Sequence, residues 1–147
     1  MKTLIIYHSQ HHGNTKKLVE AIAGCGDVTL AKPAEAMDIQ WPDYELIGFA
    51  SGIYYHQFHE TILNCAKEFL PYGKNVFFLY TCGVKQSIYI RSIQQIADSK
   101  HAKVMGSYGC PGFDTFGPFR LIGGIAKGRP NDKDLDKGIR FFMELCQ

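Results

Sequence analysis

Two textures of apolar and polar residues alternate along the chain. Short, mostly apolar runs occupy residues 3–7 (Thr3-Leu4-Ile5-Ile6-Tyr7), 27–31, 44–50, 75–80 (Asn75-Val76-Phe77-Phe78-Leu79-Tyr80) and 103–108. Between them apolar residues recur at three- and four-residue intervals. Residues 59–70 carry Ile62, Leu63, Ala66, Phe69 and Leu70, and residues 87–99 carry Tyr89, Ile93, Ile96 and Ala97. The first texture predicts strands with both faces buried, the second amphipathic helices.

A helix leaves the first strand through residues 16–23 and is stopped by Gly24-Cys25-Gly26. Residues 33–37 predict one or two helical turns, and Trp41-Pro42-Asp43 breaks the chain before the third strand. The last helix, residues 132–146, follows Pro130, is capped by Asn131 or Asp132, and aligns Leu135, Ile139, Phe142, Met143 and Cys146 in one stripe. Residues 51–58 and 81–86 read as loops. Five strands alternating with helices, each gap long enough for a crossover, predict an α/β fold: an open five-stranded parallel sheet with helices on both faces. With 147 residues, 46% of them hydrophobic, residues 1–147 are expected to form a single domain.

Charge narrows the function. Sixteen Lys and Arg against fourteen Asp and Glu leave a net charge of +2, and the cations are scattered, which argues against nucleic acid as a partner. No membrane span and no signal peptide is expected, since the apolar run at residues 4–7 is too short, and the expected location is cytoplasmic. Five cysteines without a C-x-x-C pair indicate reduced thiols and not a disulfide framework or a metal cage. Of the six histidines, His8, His11 and His12 crowd one loop and His56 and His59 another, but neither group has the spacing of a metal site, and none is expected.

The chemistry is concentrated in Ser9-Gln10-His11-His12-Gly13-Asn14-Thr15, between the first strand and the first helix. A loop ending at a helix N-terminus aims unpaired backbone N–H groups and the positive end of the helix dipole at one point, an arrangement suited to phosphate. Gly13 lets the backbone approach closely, and Ser9, Asn14 and Thr15 offer side-chain donors. The loop lacks the lysine that follows the glycine in P-loop enzymes, and the chain has no G-x-G-x-x-G, so nucleotide hydrolysis and dinucleotide binding are not indicated.

The strand, the Ser9 start, Gly13-Asn14-Thr15 and the helix resemble the phosphate loop of the flavodoxin-like family. His11 and His12 stand where that family usually has Ser or Thr. The resemblance implies strand order 2-1-3-4-5, with flavin mononucleotide (FMN) bound non-covalently between strands one and three. It implies phosphate contacts from Ser9, His11, His12, Gly13, Asn14 and Thr15. It places Ser51, Gly52, Ile53, Tyr54 and Tyr55 beside the flavin ring, with Tyr54 or Tyr55 stacking and Gly52 supplying a flexible peptide. Thr81, Cys82 and Gly83 would contact the pyrimidine side, in a loop lacking the family's common second aromatic.

Residues 109–129 form a long Gly-, Pro- and Phe-rich segment, expected as a flap that walls one flavin face or carries Arg120, Lys127 and Arg129 as a docking surface. The implied function is electron transfer between redox partners, with no catalytic acid, base or nucleophile of the chain's own. The alternative is an FMN-dependent oxidoreductase resembling quinone reductases or menaquinone-linked protoporphyrinogen oxidases, on the Ile53-Tyr54-Tyr55 pattern. The partner is a redox protein or a small-molecule acceptor. Because the net charge is positive, an acidic or neutral partner and an easier second reduction step than in acidic flavodoxins are expected.

Overall fold

The structure is a computed structural model that describes residues 1–10, 12–113 and 124–147. Its strands are β1 (Thr3–His8), β2 (Val28–Ala31), β3 (Leu46–Tyr54), β4 (Gln57–Phe58), β5 (Asn75–Cys82) and β6 (Lys103–Pro111). Its α-helices are α1 (Asn14–Ala23), α2 (Glu60–Phe69), α3 (Arg91–Ser99) and α4 (Asp132–Leu145). Tight 3-10 turns at Pro33–Asp38, Trp41–Asp43 and Ser87–Ile90 join them. The long strands run parallel in the order β2-β1-β3-β5-β6, which is the expected 2-1-3-4-5 counted over the five long strands.

The side-chain alternation of each central strand feeds two cores. Leu4, Ile6, Phe49 and Phe78 pack with Ile62 of α2 and Ile93 of α3 on one face. Ile5, Tyr7, Phe77 and Leu79 pack with Leu18 of α1 and Phe142 of α4 on the other. The continuous apolar runs follow directly from this two-sided burial.

Residues 51–58 are not a loop, contrary to the sequence expectation. β3 continues to Tyr54 and turns back, and β4 pairs with it antiparallel through Ile53↔Phe58 and Tyr54↔Gln57. Fully buried Phe58 anchors the return, edge-on to Phe78 with ring centroids 6.3 Å apart. The turn residues Tyr55 (φ 50°) and His56 (φ 66°) both lie in the left-handed region that two-residue hairpins require, without the Asn-Gly or Gly-Gly sequence that usually signals it. The helix expected over residues 87–99 begins as the 3-10 turn and becomes α-helical at Arg91.

Candidate functional site

Parallel strands bring their carboxyl ends to one edge, and the predicted residues gather there. In register, His8 at the end of β1 lies beside Ser51 of β3, Gly52 beside Thr81 of β5, and Thr81 beside Cys110 of β6. Positions far apart in sequence thus form one row across the sheet. α1 starts directly above it.

The first loop enters α1 through two left-handed residues, His12 (φ 40°) and the N-cap Gly13 (φ 66°). A Cβ on Gly13 would meet nothing within 4 Å, so glycine is favoured there by backbone conformation and not by space. Gly13 has no side chain to cap the helix. The Ser9 hydroxyl substitutes, accepting from the Lys16 backbone N–H at 3.1 Å and keeping its own proton to donate. The amides of Asn14 and Thr15 lie in the first turn, where no intrahelical acceptor exists.

Thr15 is almost fully buried, and its hydroxyl meets the buried Thr81 hydroxyl at 2.8 Å. This bond fastens the start of α1 to the end of β5. Asn14 fastens it to the end of β6: its side-chain amide donates to the Phe113 carbonyl at 2.8 Å, while Asn14 Oδ1 is buried with no hydrogen-bond partner among the described residues. Gly112 permits this approach, since a Cβ there would come within 2.6 Å of Asn14 Nδ2. The Gly112 N–H donates to the Cys82 carbonyl at 2.9 Å, and the His12 ring lies 4.2 Å from that of Phe113.

The β3 wall is held from beneath. Ser51 is fully buried; its hydroxyl accepts the His59 backbone N–H at 2.9 Å and donates to the Gly52 carbonyl. Tyr54 turns its ring onto two histidines, 5.7 Å from His8 and 4.9 Å from His59, edge-on to both. Those imidazoles are stacked face to face, with centroids 3.8 Å apart and planes 11° apart. His59 also caps α2, its Nδ1 accepting the Thr61 N–H at 3.2 Å. Tyr55 stands at the hairpin tip, 87% exposed. His56 lies over the ring of Tyr89, and the Ser92 hydroxyl donates to Gln57 at 2.8 Å, tying the hairpin to the segment after β5.

Burial holds the His8 imidazole below its ordinary pKa, the neighbouring His59 and the more distant Lys32 add to this, and the Gln10 side chain opposes it. Burial pushes the Cys110 thiol up to about 12. That thiol stays protonated and is no nucleophile.

Of the fourteen residues expected at the site, Ser9, His12, Gly13, Asn14, Thr15, Ser51, Gly52, Thr81, Cys82 and Gly83 lie at or directly beyond this edge, and Ile53, Tyr54 and Tyr55 follow in the hairpin. His11 lies outside the described residues, as do Phe116 and Arg120 of the expected flap. Cys82 is buried in the core on the α2 and α3 side, and it offers a backbone carbonyl that Gly112 already uses. Arg129 is not a free docking cation: its guanidinium forms two hydrogen bonds to the Asp134 carboxylate at the start of α4. The contacts of His8 and His59 were not anticipated, since the sequence suggested these residues only as rejected metal ligands. Among the described residues no three His, Cys, Asp or Glu side chains gather as a metal site.

A doubly wound α/β sheet with a Gly-Asn-Thr helix start at its carboxyl edge defines a flavodoxin-type protein. The family model for the flavodoxin domain matches residues 4–101, two thirds of the chain, and the chain belongs to that family. It is 32% identical over 149 residues to an uncharacterized protein of Methanocaldococcus jannaschii, covering 100% of this chain and 99% of that one. Its fold is similar to that of oxidised flavodoxin 1 from Bacillus cereus, with TM-score 0.71, 15% identity, and 99% and 97% of the two chains covered. It is also similar to a flavoprotein from Lactobacillus acidophilus NCFM solved in complex with FMN, with TM-score 0.56, 22% identity, and 74% and 92% covered.

Proposed function

We propose that this chain binds one FMN across the carboxyl edge of β1, β3 and β5 and carries electrons between redox partners. The supporting observation is convergence. The first-turn amides of α1, the Ser9 hydroxyl and the Thr15–Thr81 hydroxyl pair meet beside a wall formed by Ser51 and Gly52. These groups fit a phosphate ester: all are hydrogen-bond donors or hold a proton to give, and no carboxylate stands among them. Asn14 Oδ1, buried and without a hydrogen-bond partner among the described residues, adds an acceptor suited to a hydroxyl of the ligand.

When bound, FMN supplies the electron-transfer chemistry. The chain's part is position and potential. Ser9, Gly13 and Thr15 hold the phosphate; Ser51 and Gly52 set the backbone beside the ring; Thr81 and Gly83 border its other side. In this reading Tyr55, exposed at the hairpin tip, is the aromatic that stacks on the ring, and Tyr54, engaged with His8 and His59, does not.

The carrier reading is favoured by the rim. Tyr55, Val84 and Ile88 are exposed apolar residues on the hairpin and on the segment after β5 that it packs against, with the cations Lys85 and Arg91 nearby in that segment. This composition suits an acidic redox protein. None of the five cysteines forms a disulfide among the described residues, which fits a reducing cytoplasm. The test is the visible spectrum of the purified protein with the released flavin identified by mass, followed by assay with a nicotinamide cofactor and a quinone. Bound FMN without turnover supports the carrier; turnover supports the oxidoreductase; a protein that neither carries nor takes up flavin refutes both.

A further inference from the structure

Behind the β3 wall, the stacked imidazoles of His8 and His59 form a cluster that the phosphate-loop pattern does not require. The pair joins two parts of the proposed site. His8 immediately precedes Ser9, and His59 holds Ser51 through its backbone N–H. The two rings share an almost parallel face at 3.8 Å, and the Tyr54 ring covers both edge-on. His8 Nε2 is buried and has no hydrogen-bond partner among the described residues. Since Nδ1 of His59 accepts the Thr61 N–H, the neutral ring carries its proton on Nε2. A proton on one imidazole repels a second on the other at this separation.

We propose that His8, stacked on His59, takes up a proton when negative charge is bound beside Ser9 and Gly52; this rests on the flavin reading above. Among the described residues, the charged and titratable groups facing His8 are His59 at the start of α2, Tyr54 of β3 and, acting through its charge, Lys32 after β2, with uncharged Gln10 on its own loop. No carboxylate is among them. Burial, His59 and Lys32 disfavour the charged form of His8 while Gln10 opposes them, and an anion nearby shifts that balance toward taking up a proton from solvent. The pair offsets anionic charge without a fixed cation that would also attract anions when the charge is not needed.

Two comparisons test the proposal. The first is an NMR titration of the imidazoles in the protein as purified. Replacing His59→Asn retains a good helix cap and removes the neighbouring ring, so the His8 midpoint is expected to move to higher pH; an unchanged midpoint would overturn the pairing. The second is the potential of the second reduction step of the flavin-loaded protein against pH, in wild type and in His8→Phe, which keeps a flat ring in the stack. The wild-type potential is expected to climb more steeply as pH falls through the His8 midpoint, by at most about a tenfold change in the equilibrium per pH unit for one linked proton. Parallel curves would overturn the coupling. A protein that takes up no flavin refutes the site reading and the coupling with it, whereas the first comparison still decides whether the histidines act as a pair.

Discussion

Removing the Thr15 hydroxyl separates the structural role of this site from its binding role. Thr15→Val keeps nearly the same volume and leaves Thr81 without its 2.8 Å partner. Both residues are buried, at 1% and 4% exposure, so water does not readily replace the lost contact. A buried hydroxyl left unsatisfied costs about 1–3 kcal/mol, and urea unfolding of the flavin-free protein should show a loss in that range. Thr15→Val with Thr81→Val removes both partners, and the double variant is expected to be more stable than the sum of the single losses implies. Binding adds a second comparison. With Thr81 donating to Thr15, the Thr15 proton is available to the phosphate, and a hydrogen bond to a charged group is worth roughly 1.5–3 kcal/mol, or about ten- to a hundredfold in Kd. Fluorescence titration should therefore show that loss for FMN and almost none for riboflavin, which has no phosphate. Equal losses for the two ligands, or strictly additive stabilities in the double variant, would refute this account.

Three further outcomes follow from the geometry. Replacing Tyr55→Asn together with His56→Gly supplies residues that tolerate the left-handed turn, and chemical denaturation should show a gain of about 1–2 kcal/mol; a loss would mean that the side chains outweigh the strain. Gly112→Ala drives a methyl into Asn14, so the Asn14 bond to Phe113 should break and FMN affinity fall with a stability loss of about 1–3 kcal/mol, whereas unchanged affinity would separate β6 from the site. Hydrogen bonding from Arg129 holds the Asp134 carboxyl below its usual value. Its contribution is therefore fully present above the unfolded carboxylate range and lost as pH falls through the lower folded value. The stability gap between wild type and Asp134→Asn should be widest near neutrality and close below about pH 4, and a gap independent of pH would refute the pairing.

What the sequence made legible was local or periodic. The long strands show because burial on both faces leaves continuous runs such as Val76-Phe77-Phe78-Leu79, and the glycine-led start of α1, proposed above to hold phosphate, shows because Gly13, Asn14 and Thr15 are consecutive. The hairpin was hidden because Tyr55 and His56 adopt a turn without its usual residues; the position of buried Phe58 opposite Ile53 shows how tertiary packing sustains it. The direction of Tyr54 was hidden as well, since it depends on rings contributed by β1 and the start of α2. Contacts such as Thr15 with Thr81 and Asn14 with Phe113 span 66 and 99 positions, which no local pattern encodes. Arg129 could be counted as a cation from the sequence, but its commitment to Asp134 depends on the capping box at Asn131.

The row of residues across the strand ends ties binding to the history of folding. Neighbouring parallel strands are joined by crossovers and not by tight turns, so Ser9, Ser51 and Thr81 become neighbours only after three separate strands have docked. No fragment containing one of these segments alone carries the site, and an early compact state with only β1 and α1 formed offers a ligand little more than a helix end. A tightly held ligand therefore acts mainly on the finished molecule: it slows unfolding and deepens the native state by an amount that grows with the logarithm of its concentration, while doing little to speed the chain toward it.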